Sequence, residues 1–455
     1  MKKIITLLIG LSLSHNALAE NLLMVYKQAK ANNPELYSAA AQRDKAYAAV
    51  TGSRANLLPQ LGLKGTYGAS HGTRGNEDNQ SKGGDISLNL TQTLFDFSLL
   101  KNFDISQKLA AVQDFSYQDK EQQLILNTAK AYFDVLNSID SLHYLQAKKK
   151  AFARQLEQTR QKFRVGLVAI TDVQNVKANY DLTTAQLVAA HNALNNNIEN
   201  LRQVTGRFYA SLAEINNNAF KTTKPEHVNQ LLKQAESTNL SLLIAKLGQE
   251  NAKDQILLAQ SGYMPTLSVS ASAGLKRNNA YGEKVPATAR VNNDKILGAN
   301  SINLNLTMPL FNSGATYSKV KQAQYNYVDY SEQLESTNRQ VVNLVRSSYN
   351  NILASVSSIE AYNQSVISAQ SSLSATESGY RVGTRTIVDV LSATTTLYDA
   401  KQQLANAKYI YLISLLKMKY ALGTLSQNDL IHLNDMLGQE VVTIITSDRI
   451  APMTS

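Results

Sequence analysis

The chain has no cysteine and no tryptophan, and only six histidines and seven prolines in 455 residues. The lack of cysteine excludes disulfides, thiolate metal ligands, a thiol nucleophile and a lipidated N-terminal cysteine together. The histidines are scattered, which leaves zinc and haem chemistry little material. No HExxH or Walker pattern occurs, so a periplasmic enzyme has little to start from. No catalytic residue, cofactor site or metal site is expected. Beyond the N-terminus no run of eighteen apolar residues is found, and no spanning helix is expected. A membrane location therefore requires a closed β-barrel.

The N-terminus carries Lys2 and Lys3, an apolar run from Ile4 to Leu13, and Ala17-Leu18-Ala19 before Glu20. This is the pattern of a secretory signal peptide over 1–19, too short to anchor in a bilayer, and it places the mature start at Glu20. The net charge is +10. The basic residues are dispersed and the chain is exported, so no nucleic-acid partner is expected and the charge reads as a solvated exterior.

The sequence then repeats itself. Lys162 to Gln174, "KFRVGLVAITDVQ", returns 217 residues later as Gly379 to Leu391, "GYRVGTRTIVDVL", with six of thirteen positions identical. Asn33-Pro34-Glu35-Leu36 aligns with Asn239 to Leu242, and Pro59 to Leu63 with Pro265 to Val269, both at an offset of 206. Ile86 to Thr91 aligns with Ile302 to Thr307 at 216, and Gly206 and Gly423 close the two halves at 217. The extra residues fall at about Lys276 to Ala299, which marks a loop tip. The expected organisation is a first repeat over 20–206, a linker over 207–227, a second repeat over 228–423 and a C-terminal segment over 424–455.

Each half reads as helix, strand, loop, strand, very long helix, turn, helix. The strands rest on alternation: Leu61, Leu63 with Ile86, Leu88, Leu90, and Leu267, Val269 with Ile302, Leu304, Leu306. The segments His71 to Gly84 and Arg277 to Gly298 read as connecting loops, and soluble hairpins fit the period equally well. From Ser98 to Val165 there is neither proline nor glycine, enough for a rod of roughly 100 Å. Within it Ile125, Ala129, Tyr132, Leu136 and Ile139 keep a coiled-coil spacing. A stripe of Val173, Val176, Tyr180, Thr183, Leu187, Ala190, Leu194, Ile198 and Leu201 is matched in register 217 residues later. The counterparts run from Val390 to Met418, so both short helices are expected to pack in equivalent places. Four strands per chain cannot close a membrane barrel, which needs about eight or more. A barrel must then be shared, by two chains or by three. A passive porin or adhesin with a helical stalk, and a purely structural coiled coil, are the rival readings. The coiled coil leaves the four alternating segments unexplained.

Several stretches carry a resemblance over essentially the whole mature chain: "NPEL" at Asn33, "LLPQLGL" at Leu57, "LILNTAKAYFDVLN" at Leu124, "VGLVAITDVQN" at Val165, "VKQAQYN" at Val320 and "VGTRTIVDVLSATTTLYDAKQ" at Val382. Here the chain resembles the TolC family of outer-membrane efflux ducts. The resemblance implies a mixed fold of long coiled-coil helices and antiparallel transmembrane β-strands. Each chain of a homotrimer gives four strands to a shared 12-stranded barrel in outer-membrane lipid, continued by an α-helical tunnel through the periplasm. It implies the exit duct of tripartite multidrug efflux and type I protein secretion. A periplasmic adaptor (membrane fusion) protein and an inner-membrane pump of RND, ABC or MFS type are expected to open its periplasmic tip on docking.

The resemblance also assigns roles. Each "RVG" with its "TDV" or "VDV" is one helix-turn-helix at that tip, where Gly166 and Gly383 let a long helix end. Thr171 is expected to cap the next helix, with Asp172 in its first turn. Val388 stands in Thr171's place in the second turn, so a weaker cap is expected there. As a gate latch, Tyr380 is expected to bond Asp172 and Glu377 to bond Gln155 within a chain. Arg385 is expected to reach Thr171 and Asp172 of a neighbour. Asp389 matches a constricting aspartate of the pore, which three chains bring together on the axis. The second aspartate common one turn further on is Ser392 here, so weaker block by divalent cations is expected than in a two-aspartate relative. The adaptor is expected to dock around Val165, Gly166, Leu167, Val382, Gly383 and Thr384.

Overall fold

The computed structural model describes residues 20–74, 77–282 and 297–443. The signal peptide expected at 1–19 lies outside them. Nine α-helices and six strands are present among the described residues. They are α1 (Leu22–Asn32), α2 (Pro34–Ala55), β1 (Gln60–Arg74), β2 (Glu77–Phe95), α3 (Phe97–Arg164), α4 (Ile170–Thr205), β3 (Ser211–Ile215), α5 (Val228–Thr238), α6 (Leu240–Gln260), β4 (Thr266–Gly282), β5 (Leu297–Thr307), α7 (Ala315–Arg381), α8 (Ile387–Ala421), α9 (Gln427–Asn434) and β6 (Leu437–Val442). The order α2-β1-β2-α3-α4 recurs as α6-β4-β5-α7-α8. The chain divides into two compact units, each drawing on both halves of the sequence. Among the described residues no helix is long and apolar enough to cross a membrane.

One unit comprises residues 39–117 and 243–337. Its centre is an antiparallel four-stranded sheet in the order β1-β2-β4-β5. Leu61 stands opposite Leu90, Leu90 opposite Ala271, and Ala271 opposite Ile302. Residues directly opposite share a face, and side chains alternate with period two. Leu61, Leu63, Ile86, Leu88, Leu90, Val269, Leu275, Ile302 and Leu304 therefore lie on one face. The other face carries Ser87, Asn89, Ser270, Ser272, Ser301, Asn303 and Asn305. There Ser272 and Ser301 hydroxyls are 2.9 Å apart, and Asn305 donates to Ser270 at 3.2 Å.

The strands are longer than expected. β1 and β2 occupy most of the His71 to Gly84 segment read as a loop, and β4 extends to Gly282 within Arg277 to Gly298. Backbone pairing continues through glycine- and charge-rich sequence because both edges of β2 are satisfied by neighbours, whatever the side chains prefer. The helices of this unit pack beside one another. Lys108 on α3 pairs with Asp254 on α6 at 2.7 Å, and Gln249 on α6 donates to Ser331 on α7 at 2.9 Å.

The other unit comprises residues 20–38, 118–242 and 338–443. The first helix of each half is broken rather than single. Both breaks fall at the expected equivalents Asn33 and Asn239, whose side chains accept from the backbone N–H of Leu36 at 2.8 Å and of Leu242 at 3.0 Å. An asparagine oxygen there ends one helix and starts the next. Every residue of the stripe from Val173 to Leu201 is buried or half-buried, as is every counterpart from Val390 to Met418. Two short strands were not foreseen: β3 from the linker pairs antiparallel with β6 from the C-terminal segment. Tyr132, fully buried on α3, donates to the Ala213 carbonyl at 2.7 Å and ties this sheet to the helices.

Beside that sheet, the buried Tyr409 on α8 donates to the Asp140 carboxylate on α3 at 2.7 Å. Burial pushes Asp140 and the nearby Glu214 above the usual carboxylate range. A carboxyl whose folded pKa is raised binds more protons folded than unfolded, so stability falls as pH rises through it. Asp140→Asn keeps an acceptor for Tyr409 and removes the charge. It is expected to raise the midpoint of thermal unfolding by a few degrees at pH 8, and to leave it unchanged at pH 4, as scanning calorimetry can test.

Candidate functional site

The duplicated motifs form two helix-turn-helix tips in the second unit. α3 ends at Arg164, and Gly166 adopts φ +75°. The Leu167 N–H donates to the Lys162 carbonyl and the Gly166 N–H to that of Phe163, both at 2.9 Å. α7 ends at Arg381 in the same way. Gly383 has φ +83°, and the Thr384 N–H donates to the Gly379 carbonyl at 2.9 Å. This bond pair around a left-handed residue is a Schellman ending, which only glycine adopts without steric cost. The turns leave apolar side chains in solvent: Val165 is 70% exposed, Leu167 72% and Val382 75%.

The caps differ from expectation. α4 begins at Ile170 with Ala169 as its N-cap, and no side chain caps it. Thr171 is already inside the first turn, where its hydroxyl cannot take the capping position. Asp172 does lie in that first turn. The equivalent of Ala169 is Thr386, and the second tip is the better capped one. The Thr386 hydroxyl accepts from the Asp389 N–H at 3.2 Å, while the Asp389 carboxylate accepts from the Thr386 N–H at 2.8 Å and its hydroxyl at 2.9 Å. That capping box was legible as Thr386-Ile-Val-Asp389. The Thr386 N–H, followed by its hydroxyl, holds the Asp389 carboxyl below the usual carboxylate range. The Asp389 charge expected at a pore constriction is thus also a structural group of α8.

Behind the turns four helices share one apolar cluster. It comprises Phe152 and Leu156 of α3, Val173 and Val176 of α4, Ala369 and Leu373 of α7, and Ile387, Val390, Leu391 and Leu397 of α8. Tyr380 packs against it. Its hydroxyl is buried without a hydrogen bond, so the expected bond to Asp172 is not made within this chain. The Lys162 ammonium instead lies 4.0 Å from the Tyr380 ring centroid. Nor does Gln155 bond Glu377. Its amide donates to the Thr394 hydroxyl of α8 at 3.3 Å, and Glu377 is exposed. The Arg385 stem folds over Gly379, where an added Cβ would sit 2.8 Å from its Cγ. Among the described residues no group of three or more histidine, aspartate or glutamate side chains could hold a metal ion.

The outer membrane efflux protein family matches residues 25–207 and 231–424, one stretch in each half. The chain belongs to that family. This efflux protein is 54% identical over 457 residues to outer membrane protein TolC of Salmonella enteritidis, covering 100% of this chain and 92% of that protein. It is 26% identical over 449 residues to the alkaline protease secretion protein AprF of Pseudomonas aeruginosa, covering 94% and 90%. Its fold is similar to that of outer membrane protein VceC from Vibrio cholerae, with a TM-score of 0.74 at 18% identity, over 88% of this chain and 96% of that one. The efflux protein is an outer-membrane channel with its helical part in the periplasm, and it is not an enzyme. Lys162 and Thr394 had no signal in the sequence, since each meets its partner across helices more than two hundred residues apart.

Proposed function

We propose that the chain is the exit duct of tripartite efflux and of type I protein secretion, built as a homotrimer. The observation that carries this is the sheet. One face is apolar across all four strands, and β1 and β5 leave both edges unpaired within the chain. In lipid, unpaired edge N–H and C=O groups each cost several kcal/mol, so the apolar face can meet outer-membrane lipid only if neighbouring chains close the sheet. Three chains give a 12-stranded barrel, wide enough for a pore. The two repeats at 20–206 and 228–423 then supply equivalent walls, joined through 207–227 and 424–455. Likeness to a protein named for protease secretion supports the secretion role, and the exposed Val165, Leu167 and Val382 around Gly166, Gly383 and Thr384 suit a docking adaptor and its inner-membrane pump.

The gate follows from the tips. Arg385 is exposed and reaches for Thr171 and Asp172 of the neighbouring chain, while Tyr380, Gln155 and Glu377 line the same helix ends. An exposed Arg–carboxylate pair is worth about 1 kcal/mol or less, so three such contacts close the tip yet yield to a docking partner. Asp389 from three chains narrows the axis. In planar bilayers the purified oligomer is expected to show a small conductance that rises several-fold when Tyr380→Leu and Arg385→Ser are combined. A monomeric mass in detergent, or an unchanged conductance, overturns the proposal.

A further inference from the structure

We infer that the joint between two copies of this chain repeats, residue for residue, the joint between its own halves. β5 pairs with β1 of the next copy in one register, which sets Ile302 opposite Ala69 of the partner subunit and Phe311 opposite the partner's Leu61. This rests on the shared barrel proposed above. The two hairpins supply the rule. Leu61 pairs with Leu90 and Leu63 with Leu88 in the first, as Leu267 pairs with Leu306 and Val269 with Leu304 in the second. These pairs are related by the offsets that align the sequence halves, 206 for the first strand and 216 for the second. The hairpins are therefore one unit used twice, and the β2–β4 ladder shows how one such unit docks on the next.

That ladder sets Ile86 opposite Leu275, Leu88 opposite Ala273 and Gln92 opposite Val269. The same offsets carry it forward, with β5 in place of β2 and β1 of the next copy in place of β4. Ile302 then stands opposite the partner's Ala69, Leu304 opposite the partner's Tyr67 and Met308 opposite the partner's Leu63. The row that starts at Leu61 and crosses Leu90, Ala271 and Ile302 thus arrives at the partner's Ala69. Positions 61 and 69 differ by an even number, so both side chains lie on one face, and the apolar side stays continuous round the ring. An odd step would turn it inward. On the other face Asn303 meets the partner's Gly68 and Asn305 the partner's Thr66, so the polar row runs on as well.

The strand ends carry the second observation. The β2–β4 ladder shifts register between Thr93 and Phe95, and Phe95 stands opposite Leu267. Pro309-Leu310-Phe311 repeats Thr93-Leu94-Phe95. The proline falls where the ladder is already irregular, a place that tolerates a missing N–H. Phe95, beside β4, is 43% exposed, whereas Phe311, just beyond the edge strand β5, is 88% exposed. The counterpart of Leu267 is Leu61, on the opposite edge strand β1. An edge that fits the opposite edge of another copy is a head-to-tail contact, which closes into a ring.

The chain has no cysteine, so introduced pairs supply the only thiols for a cross-linking test on the full-length protein in membranes. Residues directly opposite are about 4.5–5.5 Å apart at Cα, within disulfide range, whereas a step of two residues gives about 7–8 Å. Ile302→Cys with Ala69→Cys is expected to oxidise to covalent oligomers at least ten-fold faster than Ile302→Cys with Tyr67→Cys or with His71→Cys. Ser301→Cys with Ser70→Cys is a second predicted pair, on the polar face and in the alternate class of ladder site. Phe311→Cys is expected to link to Leu61→Cys in preference to Leu310→Cys, because the shift of β2 recurs. The mass of each variant in detergent is measured under reducing conditions before oxidation. Faster linking at a displaced pair, equal rates at all pairs, or no linking in an oligomer of wild-type mass overturns the inference and leaves the shared barrel standing. Preferred linking of Leu310→Cys also overturns it, since the ladder then runs straight past Pro309. A monomeric wild-type protein overturns the barrel reading itself.

Discussion

Gly423→Ala is expected to abolish assembly of the protein, while the equivalent Gly206→Ala is tolerated. The two glycines close the two sequence halves and have nearly the same backbone, φ +72° and +71°. A non-glycine residue in that region costs about 1 kcal/mol at either site. Their surroundings differ. A Cβ on Gly206 would rest 3.6 Å from the Asn32 Cβ, an ordinary contact. A Cβ on Gly423 would stand 2.1 Å from the Thr238 carbonyl oxygen and 2.9 Å from the Asn239 Cα. Those are backbone atoms at the joint between α5 and α6, and they cannot turn aside as a side chain can. The joint is also fixed to the end of α8. Thr238 donates to the Leu422 carbonyl at 2.6 Å and Asn239 to that of Ala421 at 2.8 Å, while Gln122 donates to the Gly423 carbonyl at 2.9 Å. Relieving the overlap breaks several of these bonds at once in a buried place, and each orphaned group costs about 1–3 kcal/mol. The total is expected to exceed 4 kcal/mol, the range that marks a specific structural conflict. Outer-membrane yield and thermal unfolding of the two variants, beside Gly166→Ala with open space at its Cβ position, check it. A Gly423→Ala protein as abundant and as stable as Gly206→Ala refutes the reasoning.

That contrast shows where the sequence stops being informative. Gly206 and Gly423 are plainly equivalent in one dimension, and so are Asn33 and Asn239. Whether a helix end is interlocked with a joint far away in the chain is decided by tertiary contact, which periodicity does not record. The long helices were legible because proline and glycine are absent over so many turns that no other regular structure fits. The stripes on α4 and α8 were legible because two copies vary in residue but not in spacing. The strands were legible only where apolar residues alternate. Beyond Lys64 and before Asp85 the ladder runs on through glycine, serine and charge, since backbone pairing supplies the bonds there. β3 and β6 escaped notice because each is short and is stabilised by its partner and by Tyr132. At the tips, resemblance named Tyr380, Asp172, Gln155 and Glu377 as a bonded set, but within this chain Tyr380 meets Lys162 and Gln155 meets Thr394. The cap at Thr386 could have been read from its own four residues. Asp389, expected at the pore axis, completes that cap as its carboxylate partner.

The two faces of the sheet yield the sharpest test of how the strands are used. Ile302 and Asn303 are neighbours on β5 and present opposite faces. Ile302 stands in register with Ala271 in the row that runs through Leu90 to Leu61, and it is 81% exposed in the single chain. Asn303 stands opposite Ser270, and its amide donates weakly to the Ser301 hydroxyl at 3.4 Å. If the apolar face meets lipid, an arginine at 302 must carry its charge into hydrocarbon, at about 2–4 kcal/mol near the middle of the bilayer. In the proposed trimer, three chains incur that cost three times in one barrel. Ile302→Arg is therefore expected to reduce the assembled oligomer in the outer membrane to a small fraction of the wild-type amount. In that proposed barrel an arginine at 303 enters the lumen, where water solvates it. Asn303→Arg is expected to assemble normally and instead to shift ion preference toward anions, since it adds positive charge to the channel wall. The opposite pattern, with 302 tolerant and 303 lethal, would mean that the sheet is turned inside out. Equal tolerance at both would mean that water bathes both faces and that these strands form a soluble hairpin pair. The two substitutions place the same charged side chain one residue apart on one strand, so the group introduced is identical and the chief difference is the medium on each side of the sheet.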